Sequence, residues 1–266
     1  MPPSRVTAVE ALVRRDRLVV LAGLIGVTAL AWVYTVVLAG HDMESHVGAM
    51  AGMHHRAWSA ADLTLTFFMW VVMMVAMMLP TAAPMVLALA GISRSRDARE
   101  GSVAPATAFV FGYLIVWTGY SLVATLLQWR LHQAALISAA GASTSVALGA
   151  ALLLSAGAFQ LTPLKHACLR HCRSPLGFVL AEWRPGAAGG LRMGIVHGLY
   201  CAGCCWALMA LMFFAGTMNL LWIAGLALLM FAEKVLPGGR LLSQAVGAVL
   251  VAWGLHVLAA DVLGLL

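Results

Sequence analysis

Long apolar stretches, separated by short polar or basic segments, repeat along almost the entire chain. A helix needs about 20 apolar residues to cross the hydrocarbon core of a bilayer, and seven stretches are close to this length or longer. They cover residues 18–40, 63–91, 105–128, 144–163, 193–215, 220–236 and 241–266. The pattern predicts an all-α fold, a polytopic helical membrane bundle of about seven transmembrane helices.

Composition points to the same class of protein. Of the 266 residues, 62% are hydrophobic and 10% are charged, and the mean hydropathy is +0.94. A soluble domain carries about 25% charged residues. We therefore expect a basic cytoplasmic arm at residues 1–17 and a single transmembrane domain at residues 18–266, with no separate soluble domain.

The distribution of Lys and Arg predicts how the bundle is oriented. With the N-terminus inside, only Arg56 and Arg130 of the sixteen basic residues lie outside. Cytoplasmic loops of membrane proteins carry such an excess of Lys and Arg. We therefore expect a multi-pass protein of a bacterial inner membrane with a cytoplasmic N-terminus. The net charge of +6 is then explained by basic residues on the side of the bilayer that carries acidic lipids. We expect the lipid bilayer as a partner and no nucleic acid.

The first predicted outside loop, residues 41–62, is rich in residues that bind soft metals. Thioethers favour Cu(I), and imidazoles take copper or zinc. A polar loop with a few histidines, or an interfacial helix with a methionine face, would explain the same residues without a metal. The candidate ligands in this loop are His41, Met43, His46, His54 and His55.

The second predicted span carries a methionine stripe. Met69, Met73 and Met77 follow one another at i, i+4 and i+8, so they stack on one helix face, and Met78 lies beside them. Pro80 removes a backbone hydrogen bond and should kink the helix. Methionine also fills gaps in ordinary cores, so a packing role is the alternative to metal binding.

Two thiols and two imidazoles lie close together in a predicted cytoplasmic segment, residues 164–192. Cys168 and Cys172 share a helix face, His171 is within reach of it, and His166 lies just before them. Their C-x3-C spacing differs from the C-x2-C pair of most structural zinc sites. We interpret the segment as a metal or redox site, and the alternative is a pair of buried cysteines near the membrane surface.

The fifth predicted span concentrates soft ligands on one face. At about 100° per residue, its imidazole, its thiols and its last thioether fall within a stripe about 100° wide. A metal path through a bilayer would need such a stripe. The candidate ligands are His197, Cys201, Cys204, Cys205, Met209 and Met212.

Spans two and five run in opposite directions, so their sulfur atoms can be matched by depth. With the midpoints near Met77 and Cys204 aligned, soft atoms would line a route from the outside loop to the cytoplasmic segment. The route requires the two helices to be neighbours, which is a further prediction. Glu233, at the inner end of the sixth span, is a functional candidate because acids at membrane depth are costly. Pairing with Lys165 or Arg192 is one alternative, and a side chain that simply reaches the membrane interface is another.

Several short motifs carry a resemblance to a known family. They are MWVVMMVAMMLP at residues 69–80, QLTPLKHAC at 160–168 and GCCWALM at 203–209, with GTMN at 216–219 and EK at 233–234. Together they resemble the bacterial group catalogued as domain of unknown function 2182, described as predicted metal-binding integral membrane proteins. The resemblance implies a metal-associated inner-membrane protein. It places motif positions at Met69, Met73, Met77, Met78, Pro80, Cys168, Cys172, Cys201, Cys204, Cys205, Trp206, Met209 and Glu233.

We expect a copper-handling membrane protein that transports Cu(I) or delivers it to a membrane or periplasmic partner, with a metallochaperone as a second candidate partner. Zinc is the alternative metal. The thiols also fit a membrane thiol–disulfide oxidoreductase, and the sulfur-rich faces fit an accessory structural subunit of a membrane complex. The chain has no Walker loop, nucleophile elbow or HExxH motif. We therefore expect a binding or transport function rather than an enzymatic one.

Overall fold

The computed structural model describes residues 5–49, 58–96, 103–138 and 140–263. In this part of the chain the regular structure is helical, apart from two isolated β-bridges, which confirms the predicted all-α class. The helices are α1 (Arg5–Ala49), α2 (Ala60–Arg96), α3 (Val103–Gln133), α4 (Val146–Gln160), α5 (Pro163–Arg173), α6 (Pro175–Glu182), α7 (Gly186–Ala210), α8 (Met212–Ala215), α9 (Leu220–Val235) and α10 (Gly239–Val262).

Five helical segments in the described residues are long and apolar enough to cross a membrane. They are Leu18–Gly40, Ala60–Ser93, Val103–Gln133, Gly186–Ala215 and Gly239–Val262. A sixth is present if α4 and α5, which are bent by 65°, form one broken span.

The sixth predicted span, residues 220–236, corresponds to α9, which has 16 residues. At about 1.5 Å per residue it rises about 24 Å, short of the ~30 Å hydrocarbon core. The number of candidate spans in the described chain is therefore five or six, and the predicted seven are not confirmed. At the other end of the chain, α1 is continuous from Arg5 to Ala49, so the basic arm and the start of the predicted outside loop are helical.

α2 continues through two internal prolines, Pro80 and Pro84. Pro80 has no N–H, so the carbonyl of Ala76, four residues earlier, lacks its usual helical partner. The indole N–H of Trp32 in α1 donates a hydrogen bond to this carbonyl at 3.0 Å. Neighbouring helices commonly satisfy a backbone group that proline leaves free in an apolar bundle. The proline therefore creates the point at which α1 binds the middle of α2.

α3 and α7 pack backbone against backbone. A Cβ at Gly194 would overlap the carbonyl of Phe109, and a Cβ at Gly112 would overlap the carbonyl of Leu191. Small residues permit this close approach between helices in an apolar medium. α3 covers one side of α7. Side chains of α2, α5 and α9 contact the cysteine-bearing part of α7.

Candidate metal site

Three thiols of α7 lie at the centre of the bundle. Cys201, Cys204 and Cys205 are each 1% exposed. Cys205 Sγ donates to the Cys201 carbonyl at 2.9 Å, and Cys204 Sγ donates to the same carbonyl at 3.1 Å. These bonds join residues one helical turn apart. They keep the thiols on the stripe that the helical spacing predicts.

α5 adds a fourth thiol to this group. Thr162 caps α5 through its side chain and Pro163 occupies the first turn, a combination that favours the start of a new helix. The 65° bend from α4 brings α5 against α7. The buried Cys172 lies in the same core as Cys201 and Cys204, close enough for the thiols to interact.

Cys168 accompanies Cys172 on α5. It is partly exposed, and its Sγ lies 3.2 Å from the place that a Cβ at Gly203 would occupy. The sequence interpretation separated the cysteines of residues 164–192 from those of the fifth span. The structure instead brings them together. We call Cys172, Cys201, Cys204 and Cys205 the thiol cluster. The five cysteines of the chain are all free thiols.

The methionine stripe of α2 faces the thiol cluster at one direct contact. Met78 Sδ lies 4.0 Å from Cys205 Sγ, but the backbones of α2 and α7 do not pack along their lengths, so the predicted depth-matched route between these two helices stays a prediction. The contact is made by side chains, whereas α3 is the helix that packs on the α7 backbone. The other predicted methionines of both helices lie in or against the same buried core. They are Met69, which is partly buried, and Met73, Met77, Met209 and Met212, which are buried.

Three polar side chains close the site around Cys201. Lys234 Nζ from α9 donates to Cys201 Sγ at 3.0 Å and to Thr81 Oγ1 at 3.1 Å, and it lies 3.9 Å from Met78 Sδ. Tyr113 Oη from α3 lies 3.0 Å from the same Cys201 Sγ. An ammonium group, a hydroxyl and two kinds of sulfur therefore converge in a space without exposed residues.

Sequence reasoning missed the polar part of this site. Lys234 counted as one of the cytoplasmic charges, and the candidate ligands included no residue of the third span, which carries Tyr113. A signal for Lys234 was present, because the chain has only two lysines, Lys165 and Lys234, among sixteen basic residues. A lysine inside an apolar helix marks a functional site by default. Tyr113 had no comparable signal.

Glu233 belongs to a separate buried group, which we call the ion-pair network: Gln160, Lys165, Glu233 and Ser243. Lys165 Nζ lies 2.7 Å from Glu233 Oε2, and Gln160 Nε2 donates to Glu233 Oε1 at 2.7 Å. Ser243 Oγ donates to the Gln160 carbonyl at 3.3 Å. Of the partners that the sequence offered Glu233, the structure selects Lys165. Because both carboxylate oxygens are engaged, Glu233 is part of a structural pair and not a free metal ligand.

The predicted imidazoles are dispersed. His197 is 2% exposed, lies one turn from Cys201 on α7, and is surrounded by the rings of Phe109, Tyr113 and Phe178. Its Nδ1 has no hydrogen-bond partner among the described residues.

The two histidines of α5 do not share the environment of Cys172. His171 is exposed and stacks on the ring of Tyr200, with ring centroids 4.1 Å apart. His166 lies near Lys165 and Arg240, and neither of its ring nitrogens has a partner in the described part of the chain. Of the predicted imidazoles that the structure describes, His197 is therefore the one beside the thiols.

The ligands predicted for the first outside loop are not part of the described site. Residues 54 and 55 lie outside the described residues, and the side chains of residues 41–49 are not described although their backbone belongs to α1. A metal-binding role for His41, Met43, His46, His54 and His55 stays a prediction.

The sulfur side chains are the donors that the described site offers to a metal. Within the described residues, no three His, Cys, Asp or Glu side chains are placed together as a metal-binding group. Thiolates and thioethers select Cu(I), and the contact between Cys205 and Met78 combines these two donors.

Comparisons with known proteins give one finding. The model of a protein family described as PpoB2, copper chaperone, matches residues 67–257, which is most of the chain. The matched region contains the thiol cluster, the methionine stripe and the ion-pair network. No curated protein and no solved structure matches the chain. The predicted relation to copper is therefore supported, while the resemblance to the family of unknown function stays a prediction.

Proposed function

Since the chain belongs to the PpoB2 copper chaperone family, we propose that it is an integral membrane protein that binds Cu(I) as cargo at the thiol cluster and delivers it to a protein partner. The observation that carries this proposal is the burial of four cysteines of α5 and α7 in one core, where the Met78 thioether of α2 contacts Cys205. Soft sulfur ligands of this kind select Cu(I) over hard cations.

A bacterial inner membrane is the proposed location, with the N-terminus in the cytoplasm. The support is the five or six helical segments long and apolar enough to span a bilayer and the asymmetric distribution of Lys and Arg. With this orientation, the methionine stripe approaches the thiol cluster from outside. The predicted ligands of residues 41–62 would lie at the outer entrance.

The route through the protein is proposed from the order of sulfur donors. Met69, Met73 and Met77 precede Met78 along α2, so they form successive weak sites that lead to the thiols. Weak, closely spaced sites allow an ion to move as well as to bind. Beyond the thiols of α7, Cys172 and the partly exposed Cys168 provide the side from which a metallochaperone or another membrane protein exchanges Cu(I).

The test is Cu(I) binding by the full-length protein, purified in detergent under anaerobic and reducing conditions. Competition with a chromophoric Cu(I) chelator gives stoichiometry and affinity. Replacing Cys201, Cys204 and Cys205 together by Ser should abolish the chelator-competitive site. Cys168→Ser, which changes a partly exposed thiol of the adjacent helix, is the matched control and should keep it. Unchanged stoichiometry in the triple variant would overturn the proposal.

The proximity of Cys172 to Cys201 and Cys204 also favours a second candidate, a membrane thiol–disulfide oxidoreductase. Such an enzyme forms and breaks a disulfide in each cycle, whereas a Cu(I) site keeps its thiols reduced. Rapid thiol trapping in intact cells separates the two. A cycling disulfide among these cysteines supports the redox function, and fully reduced thiols together with bound copper support the chaperone.

A further inference from the structure

Lys234 contacts the same sulfur atoms that the proposed function assigns to Cu(I). Its side chain is 6% exposed, and its Nζ lies 3.0 Å from Cys201 Sγ and 3.9 Å from Met78 Sδ. A lysine ammonium is costly to bury without a compensating charge. Its placement beside a thiol and a thioether therefore needs an explanation beyond packing.

The neighbouring acid does not neutralise this ammonium. Glu233 is adjacent in sequence, but consecutive residues of a helix point about 100° apart, and its two oxygens contact Lys165 and Gln160. In the described part of the chain no carboxylate lies within salt-bridge distance of Lys234. Of the neighbours that contact the Lys234 ammonium, the Cys201 thiol is the one that becomes a counter-charge when it loses its proton.

We propose that Lys234 is a specificity-determining residue, whose ammonium makes the thiol cluster accept a monovalent cation and reject a divalent one. The inference rests on the proposed function, because it concerns the same Cu(I) site. When two cysteines of the cluster bind a metal as thiolates beside the ammonium, these three groups together carry one net negative charge. Cu(I) brings the total to zero, and Zn²⁺ leaves one positive charge in an apolar core.

The size of this effect follows from Coulomb's law. Repulsion between the ammonium and a divalent ion is twice the repulsion with a monovalent ion at equal distance. A buried site is screened little by salt, so the difference persists at physiological ionic strength. Removing the ammonium should therefore strengthen the binding of both metals, and Zn²⁺ should gain more than Cu(I).

Tyr113 supplies a matched control within the same site. Its hydroxyl lies 3.0 Å from Cys201 Sγ, the same distance as Lys234 Nζ, but it is neutral and donates its proton to the Met78 carbonyl. If a polar contact with the thiol set the metal preference, and not the charge, loss of the Tyr113 hydroxyl would change the preference to a similar degree. If charge is the cause, only substitution of Lys234 changes the preference.

The experiment measures Cu(I) and Zn²⁺ affinities separately by chelator competition for the full-length protein in detergent, under anaerobic and reducing conditions. The variants are Lys234→Met, Lys234→Gln, Lys234→Arg and Tyr113→Phe. In both neutral Lys234 variants the affinity for Zn²⁺ relative to Cu(I) should rise at least about tenfold, which corresponds to ~1.4 kcal/mol. Lys234→Arg, which keeps the charge, should restore the wild-type preference, and Tyr113→Phe should leave it nearly unchanged.

The outcomes separate the two proposals. If wild type binds Cu(I) at the thiols but the neutral variants keep the wild-type ratio, the specificity role of Lys234 is wrong and the chaperone function stands. An equal change in Tyr113→Phe would also overturn the role of charge. If wild type binds no Cu(I) through its thiols, both proposals fail. Lys234→Gln keeps a hydrogen-bond donor in the site, so it covers the case in which Lys234→Met does not fold.

Discussion

The two lysines of this protein are both buried, and their surroundings differ in kind. Lys165 is 0% exposed and lies against the carboxylate of Glu233 at 2.7 Å. Lys234, the residue after Glu233, contacts the Cys201 thiol at 3.0 Å instead. α9 therefore presents an acid to one side of the bundle and a cation to the other. In the Lys165–Glu233 pair the two charges compensate each other. Lys234 has a thiol as its neighbour instead of a carboxylate.

This contrast assigns different roles to the two regions. The ion-pair network joins the short helices α4 and α9 to the start of α5 and to α10, so it orders the bundle at its broken segments. The thiol cluster joins α2, α5 and α7 through soft atoms that make weak mutual contacts. We expect substitutions in the first region to change stability and substitutions in the second to change copper binding.

The largest effect is expected for Glu233→Gln. Removing one partner of a buried ion pair leaves an uncompensated charge and costs about 3–5 kcal/mol. The yield of monodisperse protein in detergent and the midpoint of thermal unfolding should both fall clearly. Adding Lys165→Met to this variant should recover much of the loss, because no unpaired charge then remains. If Glu233→Gln is as stable as wild type, the contrast between the two regions does not hold.

Next in size is the effect of Cys201→Ser on metal binding. Cys201 is the thiol that Lys234, Tyr113 and Cys172 all approach, so its loss should weaken Cu(I) binding at least about tenfold. A serine hydroxyl can keep the hydrogen bonds to Lys234 and Tyr113 but cannot supply a counter-charge to the Lys234 ammonium, so thermal stability should fall, although by less than in Glu233→Gln. Chelator competition and thermal unfolding on the same preparation measure both. Retained affinity with lost stability would reverse the assignment.

A smaller effect is expected for Met78→Leu. This swap conserves volume and should cost less than about 1.5 kcal/mol of stability, but it removes the thioether near Cys205. Cu(I) affinity should fall severalfold. Met74→Leu is the matched control. Met74 is buried in the same core, but among the described residues the contacts with Cys205 and Lys234 are made by Met78 and not by Met74. Equal affinities in the two variants would show that methionine here only packs.

The smallest effect is expected for Ser243→Ala at the edge of the ion-pair network. Its hydroxyl donates to the Gln160 carbonyl at 3.3 Å, a bond that should contribute about 0.5–1.5 kcal/mol. Thermal unfolding should show a modest decrease, and the Cu(I) affinity should not change. A change in Cu(I) affinity would indicate that the two regions are coupled through α9.

The soft ligands themselves were predictable because each regular helix has a known period. Cys201, Cys204 and Cys205 fall on one stripe by spacing alone, and the methionines of α2 follow at i and i+4. Glu233 was identifiable as an acid in an apolar segment, and Lys165 was one of its two candidate partners. What spacing does not report is the distance between helices, and therefore the contact of Met78 with Cys205 needed the structure.

The amino-acid sequence by itself determined the all-helical class, the apolar spans and the residues able to hold a soft metal, because length, apolarity and period act within one segment. Only the tertiary structure decided that α5 bends back to add Cys172 to the thiols of α7. It also decided that Lys234 turns to Cys201 while Glu233 turns to Lys165. These contacts depend on the packing of segments that are distant in the chain. The close glycine contacts between α3 and α7 and the 65° bend between α4 and α5 set which side chains lie near one another.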